Sequence, residues 1–493
     1  MRSMAVWIVL GIYILLMALV AIFTAKKADS LTNFVVGGRN AGPWMSAFAY
    51  GTTYFSAVLF IGYAGRSGWD YGLWAVLIGV GNALLGTYLA WKLLADRTRE
   101  VTRRLKIKTM PQMFEKRYQS KPMKIFAAIV IFIFMTPYSA SVYSGLSYLC
   151  ESVLGIDYQL AMLFIAAISA GYLVLGGYVA SLFADFIQGI IMIFGILAMI
   201  FCIVRTDQVG GFVQGMHNLT EKMGESGIAS LTPEMIVGLI SLILLTSVGT
   251  WGMPQMVHKF YGVADRKGIK RGTIISTVFC AIISCGAYFV GSLSRLFFEQ
   301  VPTVDGKPVH DLLIPQILSH LPTILLGVIL VLVLSASVST LSGITLTSCS
   351  AISMDLIAGG IKPDMTKKQT FTLTRVLCVL FIIASYLIAS IKSPILMLMS
   401  FSWGSIAGAF LAPYLLGLYW KRLGRKGAWA GMVGGLSTSL ILAVASGFDT
   451  ANAPLFGILS MAVSFLLCIV VTLVTKREPG GGEFFARDAQ NAQ

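Results

Sequence analysis

The sequence predicts an all-α integral membrane protein of thirteen transmembrane helices, and three observations carry that expectation. The 493 residues are 56% hydrophobic and only 12% charged, with a mean hydropathy of +0.80. A soluble globular chain averages about 25% charged residues, roughly twice as many. Apolar stretches of the length needed to cross a bilayer, about 20 residues, follow one another nearly end to end. The basic residues also segregate. With the N-terminus outside and the sides alternating, 30 of the 37 Lys and Arg fall in inside segments and 7 outside. Cytoplasmic loops of membrane proteins show that bias, and one missed or invented span would scramble it. Soluble multidomain architecture and disorder are both excluded.

In order, the predicted spans are 4–24, 42–65, 71–91, 125–149, 158–176, 182–204, 234–257, 272–298, 323–349, 372–391, 394–419, 428–447 and 453–475. The first lacks a small-residue cleavage site and ends in Lys26-Lys27, so it reads as a retained helix and not a signal peptide. Loops 205–233 and 299–322 are the longest irregular outside stretches. The first holds Asn218-Leu219-Thr220, a glycosylation sequon. Segment 478–493, rich in Gly and Glu, is expected to be a disordered, solvated cytoplasmic tail.

Composition also excludes function classes. The net charge of +15 comes from short loops and forms no basic helix or stripe, so nucleic acid is not a partner. The seven cysteines lie in or at the ends of apolar segments without a CxxC pair, and the four histidines lack metal-ligand spacing. No GxxxxGK[ST] loop occurs. No nucleophile–base or metal constellation falls in the spans, so the chain is not expected to be an enzyme.

Two spans are interrupted. Segment 42–65 carries Tyr50-Gly51-Thr52-Thr53-Tyr54-Phe55-Ser56, and segment 234–260 carries Thr246-Ser247-Val248-Gly249-Thr250-Trp251-Gly252-Met253-Pro254. Gly and Pro disfavour a continuous helix there, and unwound backbone survives at membrane depth only where it lines a protein or water-filled cavity. Each interruption opens a run of five spans, 42–204 and 234–419. Matched breaks at the heads of two such blocks are the mark of an inverted-repeat transporter. The expected organisation is therefore a first helix and linker (1–41), a five-helix repeat (42–204), an outside loop (205–233), a second repeat (234–419) and two further helices (420–477) before the tail.

Several motifs resemble the sodium/solute symporter family, which includes carriers of proline, pantothenate, sialic acid and glucose. They are Val35-Val36-Gly37-Gly38-Arg39, Leu175-Gly176-Gly177-Tyr178 followed by Asp185 and Gln188, Gly252-Met253-Pro254-Gln255, and Ser339-Thr340-Leu341-Ser342. Tyr54-Phe55-Ser56-Ala57, Phe60-Ile61-Gly62, Tyr71-Gly72-Leu73 and Gly417-Leu418-Tyr419-Trp420 look closest to the pantothenate and monocarboxylate branch. The resemblance covers nearly the whole chain and implies thirteen spans with a ten-helix, LeuT-type core. It also implies Na⁺-coupled symport of a small organic solute by alternating access, in the plasma membrane, with the C-terminus cytoplasmic. Bilayer, Na⁺ and solute are then the partners, with no obligatory protein partner. Proton coupling in the same fold and a transport-inactive solute sensor are the alternatives.

Na⁺ is a hard cation that takes oxygen ligands. On a helix Ala336 lies three residues before Ser339 and four before Thr340, so a carbonyl and two hydroxyls share a face, and carbonyls freed at the first break could complete the shell. The resemblance assigns the principal Na⁺ site to Thr52, Phe55, Ala336, Ser339 and Thr340, the first three through their carbonyls. It allows a second Na⁺ at Asp185, Ser339 and Ser342, although Gly343 stands where such relatives carry a further serine. Asp185 is read as the one carboxylate clearly inside a span, in the first turn of its helix, where the macrodipole also favours an acid.

For the solute the midplane holds no Lys, Arg or Glu. Half-helix N-termini near Thr53 and Trp251 are expected to favour an anionic group, hence a small carboxylate or amino acid. Candidate pocket residues are Tyr54, Ser56, Tyr138, Thr246, Thr250, Trp251 and Trp403. By resemblance, Tyr54, Val58, Thr246 and Thr250 stand where proline carriers have an acid and aromatics, which argues against proline.

Overall fold

The computed structural model describes residues 2–25, 31–223, 231–304, 306–476 and 484–485. Apart from a two-residue hairpin, Thr303–Val304 with Lys307–Pro308, the regular structure among them is helical. Among the described residues, eleven helices are long and apolar enough to cross a membrane. Their outward faces carry Leu, Ile, Val and Phe, as lipid contact requires, and their inward faces bring small and hydroxylated residues together.

The principal helices are α1 (Arg2–Ala25), α2 (Pro43–Tyr54) and α3 (Ala64–Tyr71), then a long element that starts at Val76 and ends in α4 (Asp96–Arg104). There follow α5 (Lys121–Leu154), α6 (Tyr158–Val204), α7 (Pro233–Ser247), α8 (Pro254–Tyr261) and α9 (Arg266–Ser292). The last five are α10 (Thr323–Ser350), α11 (Lys367–Ala389), α12 (Ile395–Tyr419), α13 (Arg425–Ala445) and α14 (Ala453–Val474).

Both predicted interruptions are present. α2 stops where Phe55 becomes extended (φ −109°, ψ 136°), and helical structure resumes from Val58 as a wide π turn. α7 passes into a 3₁₀ turn, Val248–Gly252, and Met253 is extended before Pro254 opens α8. Proline suits that first helical position because its missing N–H has no partner to lose there.

Several boundaries differ from expectation. No long loop separates the predicted spans 158–176 and 182–204: α6 (Tyr158–Val204) is two helices that meet at a kink at Gly177, whose non-helical backbone (φ 54°, ψ −147°) only glycine adopts without strain. Asp185 therefore lies eight residues past the kink and is not a helix-end acid. The span predicted to end at 349 continues through Ile361 and carries Asp355 into the interior, where Thr109 donates to one carboxylate oxygen (2.6 Å) and Gln112 to the other (2.8 Å). Asp185 is thus not the sole interior carboxylate.

The loop 205–233 contains a helix, Phe212–Met223, on which the sequon lies. Lys26-Lys27 and most of the 478–493 tail lie outside the described residues. The exceptions, Phe484 and Phe485, are not solvated: both rings face the Arg117 guanidinium, and Phe484 is 2% exposed.

Glycine sets how closely α3 and α9 approach. A Cβ on Gly68 would overlap the backbone of Gly291, and one on Gly291 would overlap the Ala64 carbonyl. Gly291→Ala is expected to push the helices apart and cost about 1–3 kcal/mol. A lowered unfolding temperature in detergent checks it; an unchanged one would show that the helices separate freely.

Candidate functional site: an oxygen cradle beside an aromatic pocket

The cradle forms because the break in α2 frees carbonyls opposite the small-residue face of α10. Where Phe55 turns extended, Ser56 caps the new helical start, accepting from the Val58 amide at 3.2 Å. The Ala57 amide donates to Ser337 Oγ at 3.1 Å. The carbonyls of Thr52, Thr53 and Phe55 are left facing Thr340, whose Oγ1 lies 3.3, 3.2 and 3.2 Å from them and 3.0 Å from the Ala336 carbonyl. A hydroxyl has one proton and can satisfy one of those four acceptors. The remaining lone pairs converge on one fully buried point, which suits a bare cation. Ser339 Oγ stands beside it, 2.9 Å from Thr52 Oγ1 and 2.6 Å from Asp185 Oδ1.

The five residues assigned to the principal site are therefore brought together, and the Thr53 carbonyl joins them. One expectation about this region changes sign. Thr53 stands at the C-terminal, carbonyl end of α2, which is the end that attracts a cation; the helical start lies beyond Ser56.

Around Asp185 the arrangement differs from the one expected. Its second oxygen accepts from Lys259 Nζ at 3.0 Å and from Ser181 at 3.3 Å, and the Asp185 and Lys259 side chains are 1% and 2% exposed. Lys259 lies past the predicted span 234–257, where a loop cation would be expected; because α8 continues to Tyr261, it is instead a buried ion-pair partner. The Ser342 hydroxyl donates to its own helix, at the Val338 carbonyl (2.8 Å).

Next to the cradle lies a narrow cavity of about 20 Å³ walled by Tyr54, Phe55, Tyr63, Asn82, Tyr288 and Trp403, with Ser56 and Thr246 also lining it, so a solute enters only as these side chains part. No charged side chain lines it. Tyr54 stacks on Phe55 (ring centroids 4.5 Å apart), and the edge of Tyr138 meets Trp403 at 5.5 Å. Trp403 Nε1 and the Tyr138 hydroxyl are buried close to each other and to Ser56, without a well-aligned hydrogen bond among the described residues.

Tyr138, Thr250 and Trp251 do not line the cavity; Tyr138 packs behind Trp403. Thr250 donates to the Ser247 carbonyl (2.6 Å) and Trp251 Nε1 to the Leu85 carbonyl (3.0 Å), holding the second break against the neighbouring helix. Asn82, which sequence reasoning missed, ties the two interrupted helices together. Its Oδ1 lies within 3.3 Å of the hydroxyls of Tyr54, Thr246 and Ser247. It is the sole amide of its apolar segment, which is a signal the sequence carried.

One face of the molecule is closed over this region. Ala41 and Val263 form a parallel bridge, with Ala41 N–H donating to the Gly262 carbonyl and Ala264 N–H to the Ala41 carbonyl, each 3.0 Å. Arg99 and Arg103 donate to the Val263 carbonyl at 3.1 and 2.9 Å, and Arg39 to the carbonyls of Thr102 and Ile107 at 2.7 and 2.6 Å. On the opposite face lies a broad depression lined by Asp70, Tyr71, Glu234, Arg295 and Asn452.

Paired broken helices, unwound backbone facing a hydroxyl-bearing helix, and a face sealed by arginines describe a helical membrane transporter. The chain belongs to the sodium:solute symporter family, whose model matches residues 34–435, and it is a transporter and not an enzyme. It is 29% identical to the osmoregulated proline transporter OpuE of Bacillus subtilis (strain 168) over 96% of each chain. It is 30% identical to the sodium/proline symporter of Salmonella typhimurium (strain LT2), covering 87% of this chain and 86% of that one.

Its fold matches that of a Na⁺-coupled sialic acid symporter in a substrate-bound, outward-open state with a TM-score of 0.79, at 18% identity and over 97% and 99% of the two chains. It also matches Mhp1, a nucleobase-cation-symport-1 family transporter in a closed conformation, at 0.52 and 14% identity over 91% and 97%. The proline names of these relatives run against the pantothenate and monocarboxylate likeness read from the motifs.

Proposed function

We propose that this chain is a Na⁺-driven symporter that takes up a compact amino acid of proline's kind by alternating access. The observation that carries the reading is the convergence of four backbone carbonyls on Thr340 beside a small aromatic cavity. Na⁺ bound there bridges α2 to α10 and fixes the break on which Tyr54, Phe55 and Ser56 present the pocket. The coupling is reciprocal: solute raises Na⁺ affinity by the factor by which Na⁺ raises solute affinity.

The pocket chemistry supports a compact zwitterion. Aromatic walls accept an apolar ring, and the Trp403 indole N–H, carried on the cavity wall, suits a carboxylate. The proline names of the relatives favour the same class, in place of pantothenate or a monocarboxylate.

In this reading the chain crosses the plasma membrane thirteen times, each interrupted helix counting once, with repeats at 42–204 and 234–419. The N-terminus is outside, and the arginine-bearing face is cytoplasmic, as the bias of Lys and Arg requires. The conformation closed by Arg39, Arg99 and Arg103 is then the one that receives Na⁺ and solute from outside.

Uptake into proteoliposomes of labelled proline, other amino acids, monocarboxylates and pantothenate tests this. Proline should accumulate under an inward Na⁺ gradient and not with choline in its place. Accumulation driven by a pH gradient without Na⁺ would replace sodium coupling by proton coupling, and no accumulation of any solute would favour a sensor.

A further inference from the structure

We propose that Lys259 is a tethered cation: its ammonium permanently holds the position beside Asp185 that a second Na⁺ would take, so the chain binds one Na⁺ and not two. The inference rests on the symport reading above and deepens it by assigning the ion count to a residue.

Asp185 is placed to receive a cation. It is buried, accepts from Ser339 and Ser181, and through Ser339 lies one hydroxyl away from the Thr52–Thr340 cradle. The cation that it receives is Lys259 Nζ, 3.0 Å from Oδ2. The ammonium is also 5.3 Å from the centroid of the Tyr178 ring, so an aromatic face supports the positive charge on another side.

Backbone holds the lysine there. α8 ends two residues later, and the segment that follows is pinned by the Ala41–Val263 bridge and by Arg99 and Arg103. Removing the ammonium from Asp185 would require that closed face to loosen.

Charge makes the same case. The carboxylate and the ammonium neutralise each other, so the adjoining cradle can take one Na⁺ without a second carboxylate nearby. A second Na⁺ at Asp185 would have to displace Lys259 and leave a buried ammonium without its counter-charge, and breaking a buried pair in that way is strongly unfavourable. One oxygen that such an ion would take is missing as well, since Gly343 offers no hydroxyl.

Equilibrium binding of radioactive sodium to the purified full-length protein decides it without knowledge of the solute. The wild-type chain should bind one Na⁺ with simple saturation. Lys259→Met should bind two, because Asp185 becomes free to take an ion, while Lys259→Arg should stay at one. Two ions on the wild type overturn the proposal and leave symport intact; so does a folded Lys259→Met that still binds one. If Lys259→Met does not fold, the wild-type count alone decides. No bound Na⁺ at all overturns the symport reading itself, and this inference with it.

Discussion

Thr340→Ala is expected to raise the Na⁺ concentration for half-maximal uptake by about tenfold or more, while Thr340→Ser stays close to wild type. The alanine removes the one hydroxyl that faces all four carbonyls, from Thr52, Thr53, Phe55 and Ala336. Polar interactions with a charged partner contribute about 1.5–3 kcal/mol, and about 1.4 kcal/mol is a factor of ten in affinity. Serine keeps the oxygen and loses only a methyl group. Ser339→Ala should shift Na⁺ dependence in the same direction, since that hydroxyl touches both Thr52 and Asp185. Uptake measured against Na⁺ concentration separates the outcomes. Unchanged Na⁺ dependence in folded Thr340→Ala and Ser339→Ala would remove the cradle from consideration as the ion site.

The second large effect is expected at Trp403. Its indole forms a wall of the solute cavity, and its Nε1 is buried beside the Tyr138 hydroxyl without a well-aligned acceptor among the described residues. Trp403→Phe keeps an aromatic wall and deletes the donor. If that donor meets the solute carboxylate, half-saturating solute should rise about tenfold or more. The half-saturating Na⁺ measured without solute should stay unchanged, because Trp403 takes no part in the cradle. Trp403→Ala should be worse, since it also removes the face against which Tyr54 and Tyr138 pack. Solute titrations at saturating Na⁺, paired with direct Na⁺ binding, read the two effects separately. Wild-type solute affinity in Trp403→Phe would place the carboxylate elsewhere in the cavity.

Much of the cradle was legible because it depends on local rules. A Gly- and hydroxyl-rich interruption in an apolar segment marks freed carbonyls, and the three- and four-residue spacing of Ala336, Ser339 and Thr340 follows from helical geometry. The pocket was less legible. Tyr54, Ser56, Thr246 and Trp403 reach the cavity, whereas Thr250 and Trp251 serve to anchor the second break. An aromatic or hydroxyl on an interrupted helix looks the same in sequence whichever way it faces. Tyr288 carries no distinguishing mark, because its place on the cavity wall depends on how α9 packs against α2.

Sequence alone determined that the chain is a helical membrane protein with two broken helices, and which helix carries the paired hydroxyls. Those properties follow from hydropathy, from Gly and Pro at fixed places, and from a 3.6-residue period, all of which act along a single segment. Only the tertiary structure decided that Lys259 leaves its apparent loop to pair with Asp185, 74 residues away, and that Asn82 joins the two breaks. A buried charge or amide is tolerated only where distant segments supply its partners, and no local pattern records which segments those are.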